Sequence, residues 1–282
     1  MNNLKTTILL VVLTLLLILI GYLIAGPAGA LVAFFIAMIM NIVSFWFSDR
    51  IVISMYRGKE VSEAEKPRLH RLINNLSQAA NIPKPKVYIL PLKIPNAFAT
   101  GRSPQHACVA VTNGILSTLS EGELEGVLSH EIAHIKNRDI LIATIAATLA
   151  GAIMTIAYWG RWIAFLGVGD DERGGGIGLI GIILLSILGP LAATIIQLAI
   201  SRTREYQADK NGAYLSGKPL ELANALEKLE IAARSNPLRG NASTSHLFIV
   251  NPFRGGFLFR IFSTHPPIEE RVRRLRALAG MG

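Results

Sequence analysis

Between Lys5 and Asp49 the chain runs for 43 residues without a single Asp, Glu, Lys or Arg. A helix rises about 1.5 Å per residue and a bilayer core is about 30 Å thick, so about 20 apolar residues cross it once. The run is too long for one span and right for two, with Gly26-Pro27 supplying the reversal. Two further uncharged runs, Ile140 to Gly160 and Gly174 to Ser201, are each long enough for one more. The sequence therefore predicts four transmembrane helices, near 7–25, 28–47, 140–159 and 177–199, and excludes a fully soluble protein. Residues 1–48 and 140–200 form two hairpins, and 49–139 and 201–282 form the polar parts.

The first span has a signal-peptide outline, with Lys5 before an apolar run that ends in Ala28-Gly29-Ala30. That reading fails on length: a signal core has roughly 7 to 15 residues, and here a second apolar run follows directly.

A net charge of +9 and a pI of 9.9 would suggest a nucleic-acid partner in a soluble chain. Position decides otherwise. Of 28 Lys and Arg, 12 lie in 48–139 and 13 in 201–282, and only Arg161 and Arg173 fall in the loop between the third and fourth spans. The positive-inside rule then puts both polar parts and both termini in the cytoplasm, in a multi-pass protein of the plasma (inner) membrane. The basic excess is a topology signal and an attraction to anionic headgroups. No nucleic-acid motif accompanies it. Cys108 is the only cysteine, which excludes an intrachain disulfide and any site built on several thiolates.

In the polar parts, Val61 to Ala80 has a helical apolar repeat opened by Ser62 and Glu65 at capping-box spacing. Lys86–Leu90, Asn96–Gly101 and Ala107–Thr112 read as a small antiparallel sheet. Ser120 with Glu123 opens a helix that meets no Pro or Gly before the third span after Gly126, so it is expected to continue into the membrane. Pro219–Ala233 and the segment from Pro266 are further helices, and Ser235–Gly256 is a long loop.

The chemistry lies in His130-Glu131-Ile132-Ala133-His134. Residues four apart share a helix face, so the two imidazoles converge on one metal ion while Glu131 reaches a water on it. A hydrolytic zinc site takes three protein ligands and keeps one position open. Asn137 and Ile140 stand where a metzincin has Gly and His, and no acidic residue lies between Asp139 and Asp170 to serve as a thermolysin-like ligand. Asp170, Asp171 and Glu172 fall on the far side of the membrane by the charge count. Asp139, five residues past His134, is expected to be carried off toward the membrane surface. The first candidates on the same side are Glu205 and Asp209, i and i+4 partners, of which one can ligate while the other holds a ligand by a hydrogen bond.

These motifs, with Pro95-Asn-Ala-Phe-Ala-Thr-Gly101, Ser201-Arg-Thr-Arg-Glu-Tyr-Gln-Ala-Asp209 and Ser263-Thr-His-Pro-Pro267, resemble the HtpX family of membrane-integral zinc metalloproteases, relatives of the CaaX prenyl proteases. The resemblance covers nearly the whole chain and the order of its motifs. It implies a mainly α membrane protein whose two polar parts complete one α+β, zincin-like domain. It further implies that His130, His134 and Glu205 bind one zinc ion, that Glu131 is the catalytic base, and that Asp209 supports a ligand. Asn96 and His265 match positions expected to contact the peptide or its oxyanion. The implied activity is endopeptidase cleavage of misfolded or damaged membrane proteins at the cytoplasmic face, and a membrane chaperone or larger quality-control protease is the class of partner it allows.

Two other classes are weaker. A transporter or channel would place ionisable groups at membrane depth, and none lies inside any of the four spans. A catalytically inactive, zinc-binding interaction module would not need Glu131 beside a complete ligand set.

Overall fold

The computed structural model describes residues 2–146, 148, 149, 202–235, 247–250 and 266–280. Most of the expected third and all of the fourth span, most of the 235–256 loop, His246 and His265 lie outside these residues.

The first uncharged run is contained in α1 (Asn2–Met55). Gly26 takes a φ of +59°, a left-handed value open to glycine, and Pro27 follows it without an N–H to donate. The chain folds back there. Asn41 Nδ2 donates to Thr14 Oγ1 at 2.9 Å across the two arms, and Gly21 packs against Gly29 and Ala33. The second arm includes Gly26–Phe47, 22 residues or about 33 Å of helix, long and apolar enough to cross a membrane. Leu31, Val32, Phe35, Ile39 and Trp46 on this arm are exposed rather than packed into protein.

A four-stranded sheet follows: β1 (Lys59–Glu60), β2 (Lys86–Leu90), β3 (Ala97–Gly101) and β4 (Ala107–Thr112), in the order β1-β2-β4-β3. It is mixed, which corrects the antiparallel expectation. The β1/β2 and β3/β4 pairs are antiparallel, but β2 and β4 run parallel, with Val87 opposite Val109. The chain leaves β2, passes through β3 and turns back into β4, so β4 regains the direction of β2 and takes the place beside it. Alternating polarity identifies a strand, not its neighbour.

The sheet separates two apolar cores. Val87, Ala97, Ala99, Val109 and Val111 belong with Leu72, Ile73 and Leu76 of α2 (Pro67–Ala80) and with the helices described next. Leu90, Phe98, Cys108 and Ala110 pack with Val52 and Ile53 at the end of α1 and with Leu247. This second core ties the hairpin to the sheet. The Ser62–Glu65 pair does form, with Ser62 N donating to Glu65 Oε2 at 2.7 Å, but it closes a turn; helix α2 begins only at Pro67.

After the short α3 (Asn113–Thr118), α4 (Glu121–Lys136) runs through the main core beside α2, β3, α5 (Arg202–Ser216) and α6 (Pro219–Ser235). Its start is the expected capping box, Ser120 with Glu123. Its end departs from expectation. The helix stops at Lys136, Arg138 takes a φ of +59°, and a new helix opens at residue 140. Asp139 N donates to the His134 carbonyl at 3.0 Å, closing the break. No Gly or Pro marks this site; local hydrogen bonds to His134 make it. The last described helix, α7 (Ile268–Ala279), packs on α6 and α5.

Candidate metal centre

His130 and His134 stand one turn apart on α4, and Glu205 reaches them from the first turn of α5. A Cβ on Gly212 would lie 2.8 Å from the backbone nitrogen of His130, so only glycine lets α5 approach α4 this closely. His130 Nε2 is 3.2 Å from His134 Nε2, His134 Nε2 is 3.5 Å from Glu205 Oε1, and His130 Nε2 is 3.7 Å from Glu205 Oε2.

The two imidazoles and the carboxylate each offer one ligand atom within 4.8 Å of the others, and the imidazole pair itself is close to the edge of about 3.3–3.4 Å that zinc bonds of about 2.0–2.1 Å give in a tetrahedron, so the group fits zinc. The opposite ring nitrogens are already engaged: His130 Nδ1 lies 2.9 Å from Asp209 Oδ1, and His134 Nδ1 lies 3.2 Å from Asp139 Oδ2. Protons assigned to the Nδ1 atoms leave two Nε2 lone pairs facing each other, an arrangement that a cation stabilises. The electrostatics agree. Burial opposes a charge on His134, yet Asp139, Glu205 and Glu131 raise its pKa to about 9, so this is a place where positive charge is favoured.

Glu131 is buried on the same helix. Burial is the main influence on its carboxyl and pushes its pKa up, despite the neighbouring imidazoles. The Ala99 amide of β3 donates to its Oε2 at 2.9 Å, which fixes the side chain.

Two residues complete the cluster that sequence reasoning missed. Asp139 is folded back by the break after α4 instead of being carried away, and so meets His134. Arg271 on α7 is fully buried; its Nε donates to Asp209 Oδ2 at 2.8 Å and its Nη2 to Oδ1 at 2.7 Å. Its Nη1 lies 3.9 Å from Glu205 Oε2. Burial opposes ionisation of Asp209, but the Arg271 guanidinium overrides it and holds the carboxyl well below the usual aspartate range. A signal for Arg271 was present: with Ile268, Val272 and Leu275 it occupies the buried stripe of α7, where a charge requires a partner.

Asn96 is buried behind β3. Its Nδ2 donates to the Leu247 carbonyl at 3.2 Å and its Oδ1 accepts from Ile249 N at 3.0 Å, so its amide clamps residues 247–249. His70 and His106 stand elsewhere, bonded to the Val61 carbonyl and to Ser103 Oγ.

Residues 63–279 match peptidase family M48. A protease HtpX homolog of Pyrococcus furiosus is 57% identical over 276 residues, covering 98% of this chain and 95% of that protein. A protease HtpX homolog of Syntrophobacter fumaroxidans is 52% identical over 281 residues, covering 98% and 99%. The crystal structure of S. mikatae Ste24p has the same fold over 93% of this chain, with a TM-score of 0.52 and 21% identity; the chain spans 62% of that protein's length.

Proposed function

The chain belongs to peptidase family M48, and from that premise we propose that it is a membrane-bound, zinc-dependent endopeptidase acting at the cytoplasmic membrane face on misfolded or damaged membrane proteins. That it is a metalloprotease of the HtpX kind follows from family membership and from identities above 50% over nearly the whole chain. The observation that carries the reading further is the triangle of His130, His134 and Glu205 with Glu131 beside it.

In this reading those three residues hold zinc, which when bound supplies Lewis acidity toward a water and a peptide carbonyl. Asp209 and Asp139 keep the imidazoles in their ligating tautomer. Glu131, its Oε2 fixed by Ala99, takes the proton from the attacking water and delivers it to the leaving amine.

The strand β3 lies at the sheet edge next to Glu131. An extended peptide added there gains main-chain hydrogen bonds with little demand on side-chain identity, which gives broad specificity. Asn96 contributes by holding residues 247–249 beside this strand, and His265 by sharing the charge that develops on the oxyanion. The uncharged runs at 140–160 and 174–201 supply the third and fourth spans, so that His134 and Glu205 stand close to the membrane surface.

Degradation of an unfolded protein by the detergent-purified, zinc-loaded chain tests this against Glu131→Gln prepared identically. A fall of about 10²-fold or more with zinc still bound is expected. Equal inactivity of both, with zinc bound and the fold intact, would instead favour an inactive membrane-anchored interaction module.

A further inference from the structure

A cavity of about 310 Å³ opens at the base of the α1 hairpin. Its walls come from positions far apart in the chain. Leu10 and Phe45 belong to the two arms of α1, Arg102 to the turn after β3, Arg138 to the break after α4, and Ile140 and Leu141 to the helix that follows. Among the described residues the lining thus combines two guanidinium groups with four apolar side chains and the hydroxyls of Thr7 and Ser103, and none of them is acidic.

The level of the cavity is set by its neighbours. Phe45 lies in the last turn of the Gly26–Phe47 apolar helix, and Arg102 stacks on the adjacent Trp46 ring at 4.3 Å. Tryptophan favours the boundary between hydrocarbon and water, and cations at that level meet phosphate. Stacking engages the face of the Arg102 guanidinium and leaves its in-plane N–H groups for a ligand.

We infer that this cavity seats the headgroup of an anionic phospholipid, its phosphodiester between Arg102 and Arg138 and its acyl chains along Leu10, Phe45 and Leu141. Arginine pairs with phosphate through charge-assisted, often bidentate hydrogen bonds. Inorganic phosphate offers the same oxygens but fills little of a space about ten times the volume share of a water molecule, and it gains nothing from the apolar wall. The inference rests on the membrane reading above.

The full-length chain in detergent is titrated with dihexanoyl phosphatidylglycerol, dihexanoyl phosphatidylcholine or sodium phosphate, and thermal stability is followed. Flotation with phosphatidylcholine vesicles tests the membrane reading separately. The glycerol lipid is expected to raise Tm, the other two much less, and the Arg102→Gln/Arg138→Gln variant to need about tenfold more lipid for the same shift. Arg102→Lys/Arg138→Lys, which keeps the charge, is expected to recover part of the response, and Arg50→Gln/Arg57→Gln to respond as the parent does. An equal response to phosphatidylcholine, an equal response to phosphate alone, or an equal loss in the Arg50/Arg57 variant overturns the site. Flotation together with any of these results overturns this inference and leaves the membrane reading standing; absence of flotation overturns both.

Discussion

At the scale of single residues, the centre is organised by carboxylates that lie behind the imidazoles. Asp209 is held by a bidentate guanidinium, whereas Asp139 depends on a three-residue break for its position against His134. Removing the carboxylate with Asp139→Ala is expected to weaken zinc binding about 10- to 100-fold, measured by competition with a chromogenic chelator, while the helical circular dichroism stays close to the parent's. Unchanged affinity would mean that Asp139 only closes the turn. The convergence of His130 and His134 was legible in the sequence because a four-residue spacing fixes a helix face, and the uncharged runs narrowed the third ligand to Glu205 or Asp209; the choice of Glu205 came from the family resemblance. Asp139 was not legible. A positive φ at Arg138 reverses the chain, and nothing in the residues 137–139 announces it.

At the scale of elements, α4 is the reference against which the rest is placed. Gly212 sets the distance of α5 from it, and a methyl group there would collide with the His130 backbone. Gly212→Ala is accordingly expected to displace Glu205 from the two imidazoles, with loss of bound zinc seen by metal analysis after gel filtration and a lower Tm. The start of α4 was readable from Ser120 and Glu123 alone, since a capping box is a local device. Burial opposes ionisation of Glu123, but Lys228 and Ser120 hold its pKa below the usual glutamate value. The depressed pKa contributes stability at neutral pH that is lost as pH falls through the folded-state value. Glu123→Gln should therefore have a lower Tm than the parent at pH 7, by the equivalent of about 1 kcal/mol, and the gap should close in acid below the normal glutamate range. Strand neighbours, by contrast, depend on where the chain crosses, and the parallel β2/β4 pair was invisible to any pattern along one strand.

At the scale of the whole molecule, a small core of Val52, Ile53, Phe98 and Leu247 couples the apolar hairpin to the sheet, so the centre is held at a set distance from the membrane arm. The hairpin was legible from the lack of charge and from Gly26-Pro27; its attachment to the back of the sheet was not, because it rests on side chains from three distant segments. The centre is also assembled from three segments: α4, α5 and, through Arg271, α7. A chain ending before residue 266 is expected to float with membranes yet lose its zinc on gel filtration, because Asp209 and Glu205 are left buried without their counter-charge. Retention of zinc by that chain would assign Arg271 a different part. The burial of Arg271 also has a consequence in time. Synthesis proceeds from the amino end, so the hairpin and the histidine helix emerge well before the guanidinium that completes the cluster. A metal centre built in this order is complete only once the last described helix has been made, after every apolar segment of the chain has already emerged.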